Sequence, residues 1–321
     1  MAMGITRREM VAGSAAAFGL WAAGPLGARQ FKTKLYKAQI VGKPDENTLQ
    51  KLKDGGFDGV ETTAADASVA EAEAGRKIAE KVGIKIHSVM RAWMNFNSDK
   101  PAEVEGTIAK TETSLKAAQA YGADAILLVP CRIGKVKMPD PWDLKIEFDP
   151  KTLHLKRVVA GDNAPYEDFI KAHDRSTDMS IKAVEKLIPV AEKTGVLIGL
   201  ENVWNNLWLM PDIFAAFVGS FKNKWVKAYF DIGNHVKFAP PEQWLRALGP
   251  LVCKLHVKDF KLNADGKGGN FCSVRKGSVN WPLVRKVIEE INYSGYMTLE
   301  ADAGPTPADQ VKTLETIAAG Q

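Results

Sequence analysis

The chain has 321 residues, 45% hydrophobic and 25% charged, with 43 Lys and Arg against 38 Asp and Glu and a formal net charge of +5. That mix excludes a disordered, fibrous or coiled-coil chain. No tract of about 18 apolar residues reads as an ordinary membrane span, and the interspersed, mildly positive charge argues against a dedicated nucleic-acid binder. Cys131, Cys253 and Cys272 are too few and too scattered for a disulfide framework or a thiolate zinc site.

The first segment reads as an address. Thr6-Arg7-Arg8-Glu9-Met10 precede an uncharged run, Val11 to Leu26, rich in Ala and Gly; the small residues Gly27 and Ala28 close it. A basic start, an apolar middle and a small-residue end are the order of a signal peptide. The adjacent arginines and modest hydrophobicity resemble a twin-arginine signal. Residues 1–28 are therefore expected to be removed on export, leaving 29–321 as one domain, periplasmic or otherwise outside the cytoplasm, with no stable membrane insertion after cleavage.

Beyond this segment, short apolar runs alternate with longer amphipathic ones, the pattern of parallel βαβ units. The expected strands are Tyr36–Val41, Gly59–Glu61, Ile84–Ser88, Ala125–Val129, Leu197–Glu201, Lys227–Asp231, Val252–Val257 and Met297–Glu300. Helical spacing covers Ala102–Tyr121 and Ser180–Thr194, each stopped by a glycine, Gly122 and Gly195. Pro211, Pro240 and Pro282 mark later helix starts. Eight strand-helix units make a single (β/α)₈ TIM barrel. The alternative, a doubly wound sheet, should carry a glycine-rich phosphate loop after its first strand, where the sequence has Gly42-Lys43-Pro44-Asp45. Residues 131–178 form a long insertion after the fourth strand, carrying Trp142, His154 and Arg157. A βα loop of that length suits a lid or a substrate contact.

The last four strands stop at Glu201, Asp231, His256 and Glu300. In a barrel, C-terminal strand ends meet at one mouth. Three carboxylates and an imidazole there would repel one another without a cation, and such an oxygen-rich set suits one divalent ion: Mn²⁺ first, with Mg²⁺, Co²⁺ or Zn²⁺ admitted by the imidazole. Glu61 and His87, at the ends of the second and third strands, and Asn234, His235 and Lys258, just after ligand positions, are the expected substrate contacts. Trp93, Trp142, Trp204 and Trp208 are candidates for stacking on a substrate ring, although each reads first as packing under a loop. His154 and His173 read as surface residues of the insertion.

From about residue 35 to the C-terminus the chain resembles the sugar isomerase/epimerase superfamily with the xylose isomerase-like TIM barrel. The matching words are Phe57-Asp58-Gly59-Val60-Glu61, Glu201-Asn202-Val203-Trp204-Asn205, Tyr229-Phe230-Asp231-Ile232-Gly233-Asn234, His256-Val257-Lys258-Asp259 and Gly295-Tyr296 followed by Glu300. The resemblance implies that Glu201, Asp231, His256 and Glu300 bind one metal, and that Glu201 and Glu300 are the catalytic pair moving protons next to a sugar carbonyl through an enediolate. It implies a small-molecule carbohydrate substrate and leaves a homo-oligomer open. The sequence departs from ketose 3-epimerases at Asn234, Leu207 and Leu262, where they carry His, Glu and Arg, and at Arg275-Lys276-Gly277, where an acidic turn has become basic. Export together with these departures keeps a keto-sugar (3-keto-glycoside) lyase or hydratase as an alternative. A non-catalytic sugar-binding barrel would tolerate the loss of a ligand, and none is lost. A repair endonuclease on this barrel would need a histidine-rich three-zinc set, for which 5 histidines in all are too few.

Overall fold

The computed structural model describes residues 31–321; the twin-arginine reading of 1–28 and the boundary after it lie outside the described residues. The strands are β1 (Leu35–Val41), β2 (Gly59–Thr62), β3 (Lys85–Trp93), β4 (Ala125–Val129), β5 (Leu144–Phe148), β6 (Leu155–Val159), β7 (Leu197–Leu200), β8 (Val226–Asp231), β9 (Val252–Val257), β10 (Asp259–Leu262), β11 (Gly269–Cys272) and β12 (Gly295–Leu299). The helices are α1 (Glu46–Asp54), α2 (Val69–Val82), α3 (Pro101–Tyr121), α4 (Glu167–Thr194), α5 (Pro211–Ser220), α6 (Pro241–Leu248), α7 (Trp281–Glu290) and α8 (Pro307–Ala318). Eight parallel strands close in the order β1-β12-β9-β8-β7-β4-β3-β2, and β5–β6 and β10–β11 are separate hairpins. The fold is a TIM barrel. Among the described residues, no helix is long and apolar enough to cross a membrane.

Local chemistry sets the element ends. Ser68 and Glu71 form a reciprocal capping box at the start of α2. Helices α2, α3 and α4 end on left-handed Gly83, Gly122 and Gly195, a conformation that costs glycine little. Prolines occupy the first positions of α3, α5, α6, α7 and α8, where the missing N–H would have been unpaired anyway. The main core lies between strands and helices. A second, small one, Leu127, Val129 and Tyr229 with Met90 and Val203 against them, fills the barrel itself.

Three expectations need correction. The insertion is shorter than 131–178, because α4 already begins at Glu167. Its early buried face consists of Phe169, His173, Ser176, Thr177 and Ser180, which leaves little apolar periodicity to read. The remainder is organised by the antiparallel β5–β6 pair. For the same reason His173 is no surface residue: it is 1% exposed inside α4, whereas His154 is half-exposed and pairs with Asp178 at 3.0 Å. Finally, β3 runs on to Trp93, so His87 does not end its strand. Polar Ser88 and Arg91 interrupt the apolar run without ending the ladder.

Candidate metal centre

Glu201, Asp231, His256 and Glu300 each offer one ligand atom, and the four atoms lie within 4.8 Å of one another. They come from the C-terminal ends of β7, β8, β9 and β12, consecutive around the barrel. The donors are oxygens and one imidazole nitrogen with no thiolate, a set for hard or borderline divalent ions.

Each of the four side chains is placed by its neighbours. Asp231 Oδ1 accepts the backbone N–H groups of Gly233 (2.8 Å) and Asn234 (2.7 Å), while the buried Oδ2 has no hydrogen-bond partner. Gly233 permits this turn: a Cβ there would lie 2.5 Å from the Lys258 Cβ and 2.7 Å from its carbonyl carbon. Glu201 Oε1 accepts from Asn234 Nδ2 at 3.2 Å. His256 Nε2 lies 2.7 Å from Glu61 Oε2, and Glu61 Oε1 accepts from Ser88 Oγ at 2.8 Å. This carboxylate takes up one ring nitrogen and turns Nδ1 toward the cluster, an arrangement that orients metal-binding histidines. Nδ1 lies 2.6 Å from Glu300 Oε2, yet the two are not aligned as a hydrogen bond. With the neutral ring turned this way, Nδ1, Glu300 and the orphan Asp231 Oδ2 are groups that a shared cation would reconcile.

Without a cation, protons and one lysine carry the balance. Burial raises the Glu201 carboxyl to about 8, assisted by Glu300 and Asp231 and opposed by His256 and Lys258. Burial also raises Asp231, against the pull of Lys258. At His256, burial would favour the neutral ring, but Glu61 and Glu300 outweigh it and hold the imidazole well above its ordinary value. Burial would likewise raise Glu300, yet His256 and Lys258 hold it down at about 2. Lys258 Nζ lies 2.7 Å from Glu300 Oε1 and 3.6 Å from Asp231 Oδ2. Glu300, with 29% of its side chain exposed, is the member of the cluster open to the mouth.

The expected substrate contacts divide by depth. Lys258 and Asn234 stand in the cluster and touch each other at 3.4 Å. Glu61 lies behind His256, fully buried, and so orients a ligand instead of meeting solvent. His235 Nε2 lies 2.7 Å from the Asn202 carbonyl, and the ring packs on Trp244 of α6, with 4.7 Å between centroids. His87 sits nearer the N-terminal strand ends, 3.0 Å from Thr298 Oγ1 and stacked on Tyr296 at 4.0 Å. Of the tryptophans, Trp208 is fully buried and Trp93 and Trp142 are exposed. Trp204 packs edge-on against Phe260 and has Lys237 Nζ 3.4 Å from its ring centroid.

Asp259 went unassigned in the sequence. It is buried, and its carboxylate accepts from the backbone N–H groups of Phe260, Arg275, Gly277 and Val279 and from Trp281 Nε1. It therefore pins the basic 275–277 turn beside the mouth. A Cβ on Gly277 would lie 2.0 Å from Asp259 Oδ1. An acid directly after the His256-Val257-Lys258 strand end, with a glycine-bearing turn downstream, was the signal available.

The family model described as xylose isomerase-like TIM barrel matches residues 49–318. An uncharacterized protein of Methanocaldococcus jannaschii, MJ1311, is 25% identical over 146 residues, 44% of this chain and 47% of that protein, so the chain spans about half the length of the curated relative it matches. Among solved structures, the 3-keto-D-glucoside 4-epimerase YcjR from E. coli is 16% identical with a TM-score of 0.63, over 88% of this chain and 99% of that one. A xylose isomerase-like TIM barrel protein from Mycobacterium smegmatis, in complex with magnesium, is 17% identical with a TM-score of 0.60, over 90% of this chain and 96% of that one. At such identity the likeness in structure speaks for the fold.

Proposed function

Because the chain belongs to the xylose isomerase-like TIM barrel family, we propose that it is a divalent-metal-dependent isomerase or epimerase moving a proton next to the carbonyl of a sugar or sugar derivative. The observation that carries this reading is the convergence of four ligand atoms within 4.8 Å, with Asp231 Oδ2 and His256 Nδ1 left without hydrogen bonds. Glu201, Asp231, His256 and Glu300 would hold Mn²⁺, or Mg²⁺, Co²⁺ or Zn²⁺, and the bound ion would supply Lewis-acid polarisation of the substrate carbonyl.

The chain's own groups do the rest. Glu300 reaches the mouth, with 29% of its side chain exposed, so it can take a proton from carbon. Glu201 lies deeper, on the other side of the cluster, so it can return one; the hand of the substrate decides which acts first. A positioned carboxylate of this kind contributes roughly 10²- to 10⁴-fold. Lys258 pairs with Glu300 at 2.7 Å and offers a cation to substrate oxygens. Glu61 keeps His256 turned toward the cluster. We also read residues 1–28 as a twin-arginine signal, so that this chemistry takes place outside the cytoplasm; N-terminal sequencing of the exported protein should begin near residue 29.

The test is metal content of protein purified without chelator, beside the double variant Glu201→Gln, His256→Ala, followed by deuterium wash-in from D₂O. The expected result is about one divalent ion per chain, lost in the variant, with solvent deuterium appearing next to a sugar carbonyl. No ion bound after loading with Mn²⁺, Co²⁺ or Zn²⁺ would overturn the reading.

A further inference from the structure

The strand opposite the ligands carries an irregularity that the chemistry above does not use. Along β3 and β4, Met90 pairs with Leu127, Ala92 with Leu128 and Trp93 with Val129. Arg91 is thus an extra residue, and its side chain leaves toward Asp66 and Ser114. Ala92 takes a left-handed φ of 58°, which costs a non-glycine residue free energy and, next to a mouth, points to function.

The consequence is a change of face. Residues opposite each other in a parallel ladder share a side of the sheet. Val129 belongs to the cluster inside the barrel, so Trp93 faces inward at the rim. With no bulge, Ala92 would oppose Val129 and Trp93 would point outward. The register also sets its height. Leu128 pairs with Leu200, so Trp93, Val129 and Glu201 lie on one row. Strands are about 4.8 Å apart, which puts the backbone of Trp93 on the order of 10 Å from that of Glu201. The Arg132 guanidinium braces one face of the indole, its Cζ 4.3 Å from the ring centroid, and is itself held by the Trp204 carbonyl at 3.3 Å. Trp93 still keeps 41% of its surface exposed.

We propose that Trp93 is a specificity-determining platform that stacks on the apolar C–H face of the substrate, so that the site takes its sugar as a closed pyranose ring and not as an open chain. A pyranose presents one flat face of C–H bonds to an indole; an open-chain polyol turns hydroxyls in every direction. A ring that stays closed during proton transfer must carry its carbonyl on a ring carbon other than the acetal carbon. The substrate class is therefore an oxidised pyranoside. This inference rests on the isomerase or epimerase reading above.

The test compares deuterium wash-in from D₂O into a methyl 3-ketoglucopyranoside and into D-fructose, using the Mn²⁺-loaded protein and Trp93→Ala and Trp93→Phe. The wild type should exchange the closed-ring substrate with at least a tenfold higher kcat/KM. Trp93→Ala should lose at least tenfold for that substrate alone, in KM and not in kcat, with metal content unchanged, and Trp93→Phe should recover most of it. Equal rates for the two sugars, or no change in KM in a folded, metal-loaded Trp93→Ala, would overturn the inference. Exchange into fructose alone would overturn it while leaving the isomerase reading intact. Exchange into neither would overturn that reading, and the inference with it.

Discussion

His256 and His87 are both fully buried in the same barrel, yet their surroundings push their protonation in opposite directions. His256, in the upper layer, lies between Glu61 and Glu300, which outweigh its burial and raise it. His87, nearer the strands' N-terminal ends, is depressed first by burial and then by the charges of Lys254 and His256. It stacks on Tyr296, beside the 2.6 Å ion pair of Lys254 with Asp124. The upper layer gathers carboxylates that could hold a cation, while beneath it Lys254 is paired with Asp124. On the proposed reading, chemistry and stability are divided by height in this barrel, as expected when a site is built from C-terminal strand ends.

The largest effect expected of this division is at the mouth. Glu300→Gln or Glu201→Gln should lower proton exchange by about 10²- to 10⁴-fold with little change in thermal unfolding; full activity in either would break the assignment. Next comes Glu61→Gln, which touches no expected metal ligand except His256. Its Mn²⁺ affinity, read by titration, should fall by about 10- to 100-fold. An unchanged affinity would mean that Glu61 belongs with the lower layer.

His87→Gln should leave metal affinity alone and destabilise the fold by about 1–3 kcal/mol through the lost Thr298 contact. It should also alter pH dependence. Folded His87 stays neutral while its unfolded counterpart charges below about pH 6.5, so lowering pH favours unfolding of the wild type. The variant's unfolding free energy, read from urea titrations, should therefore fall less steeply below pH 6.5, by up to about 1.4 kcal/mol per pH unit; parallel curves would show that His87 titrates normally. The smallest effect is expected of Lys254→Met, which removes the cation facing a largely exposed Asp124 while keeping most of the packing. Stability should change by less than about 1 kcal/mol, and a larger loss would make that pair a keystone of the lower layer.

The sequence by itself determined the barrel. Runs of aliphatic residues buried on both faces, separated by helices with glycine stops and proline starts, admit few other arrangements, and an acid or imidazole at each of the last four strand ends marked the cluster that the barrel brings together. Depth and facing were decided only by the tertiary structure. His87 and Glu61 both looked like strand-end residues, because a linear run does not reveal the stagger between neighbouring strands. That stagger puts His87 beneath Thr298 and Glu61 behind His256. The start of α4 was hidden because its inner face is built from serine, threonine and histidine, which pack without an apolar rhythm. The aim of Trp93 depends on one inserted residue in β3, and a bulge is a relation between two strands, absent from either one read alone.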